Sequence, residues 1–178
     1  MRIHRCTVWL IAATALWLVG CAKKETTTTT PQTTSGEKRV RIVLVTNGSS
    51  PFWDPMEVGM RRAAEELGCE ATSRRPTTDS PALQRQIIEE YQAQKVDGIG
   101  ISVIESDTIG PLIDELMNSG IKVITFDSDA AQSKRIAYIG TNNFEAGKAA
   151  GEAAKKLLPE GGKVFGFVGN QNAPNARE

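Results

Sequence analysis

The chain has 178 residues, with 21 basic side chains, 21 acidic ones and a single histidine, His4. Without a cleavable amino-terminal segment containing Arg2 and Arg5 the acidic excess is about two, which gives no electrostatic footprint for nucleic acid or an anionic membrane surface. His4 lies in that same segment, so the remainder has no histidine for acid/base work and no partner for a Ser-His or Cys-His nucleophile.

Arg2, His4 and Arg5 precede an apolar run over residues 7–19. The run is short for a membrane span and fits a signal-peptide core. It ends in Leu18-Val19-Gly20-Cys21, which resembles the bacterial lipobox. That resemblance implies cleavage before Cys21 and acyl chains on its sulfur, so that the protein is anchored without spanning. An ordinary signal peptide or a short buried helix is the plainer alternative. Residues 1–20 therefore read as a lipoprotein signal peptide. Residues 21–38, rich in threonine, have almost nothing apolar to bury and read as a flexible tether. Of the three cysteines, Cys6, Cys21 and Cys69, only Cys69 is left for a fold, and no disulfide within it is expected.

From Arg39 onward, strand and helix patterns alternate. Val40 to Val45 makes a β-branched strand, followed by the turn residues Asn47-Gly-Ser-Ser-Pro51 and the aromatics Phe52 and Trp53. Asp54-Pro55 reads as a helix N-cap with proline at the first helical position. The helix over 55–67 carries Met56, Met60, Ala63, Ala64 and Leu67 at helical spacing, and Gly68 ends it. A weak strand over 69–75 and a helix opening at Asp79-Ser-Pro81 follow, with Leu83, Ile87, Ile88 and Tyr91 on one stripe. Residues 96–103 are apolar on both faces, as a central parallel strand requires. Next come a helix over 109–118, strands over 121–126 and 135–139, a helix over 144–158 and a sixth strand over 163–168. This βαβ rhythm predicts an α/β fold with a doubly wound parallel sheet. Such sheets bind ligands where the winding reverses, which makes the loops after strands one, three and four the candidate site. There is no G-x-G-x-x-G after strand one and no phosphate-cradling P-loop. No cofactor or metal is expected.

Taken in order, Ser-Ser-Pro-Phe-Trp, Val-Asp-Gly-Ile, Gly-Ile-Lys-Val-Ile-Thr-Phe-Asp and Ile-Gly-Thr-Asn-Asn resemble the ribose/galactose-type periplasmic sugar-binding proteins, type I solute-binding proteins that serve ABC transporters. The resemblance runs from about Arg39 to Glu178. It implies two similar α/β lobes closing on a sugar, with residues 39–141 as the first lobe and 142–178 as the start of the second. It also implies that further segments of both lobes belong beyond Glu178.

The resemblance assigns ligand contacts to Ser50, Phe52, Trp53, Asp127 and Arg177; weaker candidates are Asn47, Ser128 and, from its place at the end of strand three, Ser102. Apolar C–H faces of a sugar pack well on aromatic rings, although one ring could instead act as a staple at the helix entry. Ser50 stands where relatives often carry asparagine, and it could equally be a turn residue. The Asp127 carboxylate would accept hydrogen bonds from two sugar hydroxyls, its alternative being a turn after the strand. Ser128 stands where ribose binders carry arginine. The Arg177 guanidinium offers five donors, against the reading of a solvated surface residue.

The function implied is a lipid-anchored extracytoplasmic receptor that captures a pentose or hexose and delivers it to an ABC transporter permease. It would be a monomer, exported to the periplasm or cell envelope, held to the membrane by its lipid alone and without nucleic-acid partners. The alternatives are a sensor subunit with the same cleft, signalling to a chemoreceptor or kinase, or a receptor for a non-sugar molecule such as an autoinducer. An enzyme is not expected. A paired-carboxylate hydrolase would need Asp127 and Asp129 together, and their alternation at a strand end points them apart.

Overall fold

A computed structural model describes residues 38–177, so the signal peptide, Cys21 and all of the tether but Lys38 lie outside the described residues. Strand β1 (Arg41–Val45) sits inside a parallel sheet, flanked by β2 (Glu70–Arg74) and β3 (Gly98–Ile101). Beyond β3 lie β4 (Lys122–Phe126) and the short β5 (Tyr138–Ile139), giving the order β2-β1-β3-β4-β5. Helices α1 (Asp54–Leu67), α2 (Pro81–Ala93) and α3 (Ser106–Asn118) link the strands, and α4 (Asn143–Leu157) follows β5. This is the expected α/β architecture. The chain moves outward from β1 to β2, then crosses back to β3, so the loops after β1 and β3 part from each other.

Strand alternation decides where the core lies. Val43, Val45, Ile99, Ile101 and Val123 meet Ile87 and Ile88 of α2 and Ile109, Leu112, Ile113 and Leu116 of α3. Each such side chain stabilises by about 1.5–3 kcal/mol on burial, so this face dominates the fold. The alternate set, Ile42, Leu44, Ile124 and Phe126, is only half-buried. Helix α1 packs mainly on β2 and buries no residue fully. Of its expected stripe, Met56, Met60 and Ala64 are half-buried, whereas Ala63 and Leu67 are exposed.

Two expectations are corrected. Residues 163–168 form no strand, and Phe165 and Phe167 are 78% and 94% exposed. A strand gains its hydrogen bonds only in a pair, and no described segment pairs with this one. Asp54 is not the N-cap of α1. Ser50 caps a short 3-10 turn over Pro51–Trp53, its hydroxyl accepting from the Phe52 N–H at 3.2 Å, and Asp54 is the first residue of α1.

Polar groups at the carboxyl end of the sheet are joined by one residue. Gln84 of α2 is fully buried. Its Nε2 donates to the Thr46 carbonyl at 3.0 Å and the Ser102 carbonyl at 2.7 Å, while its Oε1 accepts from the Ile104 N–H at 3.0 Å. It thereby ties the exit of β1 to the exit of β3. A second tie joins the exit of β4 to the approach to β5. Arg135 donates to Asp129 through Nε at 2.5 Å and Nη2 at 2.6 Å, and the Ala130 N–H donates at 2.8 Å. Burial pushes the Asp129 carboxyl up, but Arg135, Thr125 and the Ala130 N–H outweigh it and hold the group below the usual carboxylate range.

Gln84→Ala would strand three buried backbone groups and is expected to cost about 3 kcal/mol or more, read from urea unfolding midpoints. Asp129 has a depressed folded pKa, so its contribution is present above the unfolded value of about 3.9 and fades as pH falls through the lower folded value. Asp129→Asn is therefore expected to lower stability at pH 6 while narrowing the loss between pH 5 and pH 2. An unchanged acid profile would show that this carboxylate is not linked to folding.

Candidate functional site

Loops at the carboxyl ends of the strands enclose a cavity of about 710 Å³. Residues after β1 supply Asn47, Ser50, Phe52 and Trp53, the segment after β3 supplies Ile104, and the end of β4 supplies Asp127. Facing them are residues of the carboxyl-terminal segment, among them Phe167, Asn170 and Asn175.

Asp127 follows directly on β4 with φ +59°. That left-handed conformation is rare for residues other than glycine, although Asp tolerates it better than most. The backbone is held there by Asp127 N–H donating to the Ile139 carbonyl at 3.0 Å and by the Tyr138 hydroxyl donating to the Asp127 carbonyl at 2.8 Å. Its carboxylate Oδ2 accepts from Ser102 Oγ at 2.9 Å and from Asn47 Nδ2 at 3.4 Å. Among the described residues no bond of this kind engages Oδ1, which leaves an acceptor at the cavity wall.

The aromatic pair divides into two roles. Trp53 is 4% exposed and meets Phe52 and Phe126 edge to face, with ring centroids 5.0 and 5.6 Å apart. Phe52 is 68% exposed. The buried indole backs the phenyl ring, which stands open to the cavity. Arg75, which the sequence reading passed over, fixes this loop from the end of β2. Its guanidinium donates to the Ser50 carbonyl at 3.2 Å, Asp54 at 2.7 Å and Glu57 at 2.9 Å. Hydrogen bonds from Ser73 and Arg75 hold the Glu57 carboxyl below its ordinary value.

Other candidates fall elsewhere. Ser102 is fully buried and acts on Asp127 rather than on the cavity. Ser128 is also fully buried, and its hydroxyl has no partner among the described residues. Arg177 lies apart from the cavity, in a separate hollow of about 240 Å³ with Glu105, Ser106 and Asp107. The preceding residues 163–168 lack a sheet to fix their register, and the short turn Pro174–Arg177 presents Asn175 and Ala176 to the main cavity instead. Asp129 lines a different hollow from Asp127, so the two carboxylates do not converge. Among the described residues no cluster could hold a metal ion, and no helix is long and apolar enough to cross a membrane.

Residues 41–178 match the periplasmic binding protein domain family. The ribose import binding protein RbsB of Escherichia coli K12 is 25% identical over 136 residues, which cover 76% of this chain and 46% of that protein. Among solved structures, an ABC transporter solute-binding protein of Burkholderia graminis in complex with D-arabinose superimposes with a TM-score of 0.75 at 35% identity, over 77% of this chain and 47% of its own. The XylFII–LytSN complex gives 0.75 at 34% identity, over 78% and 51%. The chain thus spans about half the length of these relatives. The first two are binding proteins rather than enzymes. With that match over most of its length, and with a parallel sheet wound in the order 2-1-3-4-5, the chain belongs to the periplasmic binding protein family.

Proposed function

We propose that this protein is a lipid-anchored extracytoplasmic receptor that binds a small sugar, a pentose or hexose, and delivers it to an ABC transporter permease. The observation that carries the reading is the pairing of an open Phe52 ring with the free Oδ1 of Asp127 on one cavity wall. An apolar face and a charged acceptor together suit a polyol, which has C–H faces and hydroxyl donors. The relatives point the same way, one being named for ribose import and another solved with D-arabinose. Anchoring rests on the lipobox-like Leu18-Val19-Gly20-Cys21. Transport would follow from closure of the second lobe over the ligand, beginning near residue 142.

One observation favours a second reading. XylFII is a relative solved in complex with a second protein, LytSN, so the same cleft could serve a sensor assembly. Both readings share the sugar site and differ in the partner that reads it.

Trp9 and Trp17 precede Cys21, so Trp53 is the sole tryptophan of residues 35–178 and reports on the cleft. A panel of pentoses and hexoses is expected to contain one sugar that both raises the melting temperature and changes Trp53 emission. Phe52→Ala is expected to weaken that binding about tenfold, and Asp127→Ala by roughly 10- to 100-fold. If no sugar produces either signal, the sugar assignment fails. Co-purification with a permease separates transport from sensing.

A further inference from the structure

We propose that Asp79 is a second ligand-facing carboxylate of this cleft, and that it favours uncharged or amino-bearing polyols over anionic ones. The inference rests on the sugar-receptor reading and adds a residue that neither the motif order nor the switch-point argument supplies.

Asp79 lies in the loop between β2 and α2 and lines the same cavity as Asp127 and Phe52. It looks like the residue that opens α2, yet the cap is Ser80, whose Oγ accepts from the Leu83 N–H at 3.3 Å. The Asp79 carboxylate is therefore not consumed in starting the helix. Among the described residues no hydrogen bond or ion pair engages it, so both of its oxygens remain open, whereas Asp127 commits Oδ2 to Ser102 and Asn47.

Its seat is specific. A Cβ placed on Gly48 would lie 2.7 Å from Asp79 Oδ1, so the carboxylate rests close against the loop after β1, and a larger residue there would displace it. Among the described residues the cavity lining thus holds two carboxylates and no lysine or arginine, and Arg177 faces another hollow. An ionised carboxylate only accepts hydrogen bonds. Hydroxyl and ammonium groups can donate to it, while a phosphate or carboxylate on the ligand would be repelled.

The test uses calorimetric titration of the full protein without its amino-terminal segment. The ligands are the sugar found by the panel, its 2-amino-2-deoxy analogue and its phosphate ester. Asp79→Asn is expected to weaken the neutral sugar about tenfold, weaken the amino sugar more, and narrow the discrimination against the phosphate ester, with the unliganded melting temperature unchanged. Gly48→Ala should reproduce part of this loss, because its Cβ displaces only the end of the Asp79 side chain. If Asp79→Asn leaves all affinities within about twofold while Asp127→Asn abolishes binding, the proposal falls and the sugar reading stands. If the unmodified protein binds nothing in the panel, both fall.

Discussion

One buried amide holds the cavity-bearing end of this sheet in shape. Where the chain crosses from β2 back over β1 to β3, two strands end side by side and their loops separate, leaving backbone groups that no neighbouring strand can satisfy. Gln84 satisfies three of them at once, on both strands. In a dry environment each of these bonds is stronger than it would be in water, and each missing one would be correspondingly costly. The consequences pass outward through single atoms. Ser102, whose carbonyl is held by Gln84, presents its hydroxyl to Asp127, and Thr46, held likewise, donates to the Gly48 carbonyl at 2.7 Å. The crevice that the winding creates is thereby given fixed walls.

The loop that carries Phe52 on this same wall depends on Arg75. An exposed phenylalanine at a loop tip would ordinarily fold back onto apolar surface. Here the loop is pinned at Ser50, Asp54 and Glu57 by one guanidinium, and the neighbouring Trp53 fills the space beneath. Phe52 is left outward because the buried position is already taken. Preorganisation of this kind reduces the entropy that a ligand must overcome on binding.

Most of the fold is legible in the sequence because its elements are local. The β-branched runs, the stripes of α2 and α3, and Gly68 in left-handed geometry at the end of α1 all specify themselves within a few residues. What escapes is what depends on distant partners. Residues 163–168 carry a strand pattern, but a strand is made by its neighbour. Gln84 reads as a polar interruption of an apolar stripe, and only the tertiary positions of Thr46, Ser102 and Ile104 turn it into a structural necessity. Asp79 is hidden by Ser80, since either could cap α2 and the hydroxyl does. Asp127 is visible from its place after a strand, but not the left-handed turn that fixes its carboxylate.

The two sides of the cavity differ in how they are supported, and this decides where affinity can come from. Asn47, Phe52 and Asp127 stand on a sheet with a buried core and a closed polar network. Phe167, Asn170 and Asn175 stand on a segment without strand pairing, after a helix, α4, that buries no residue. Few buried apolar contacts mean low local stability, so a ligand touching both sides must offset the ordering of the second. The exposed Phe144, Leu157, Phe165 and Phe167 carry apolar area worth about 25 cal/mol for each Å² covered. Whatever covers that area would rigidify the second side at no cost to the ligand. For a receptor of the proposed kind, tight binding would therefore be a joint property: the first side would set which groups are recognised, and burial around α4 and residues 163–168 would set how tightly they are held.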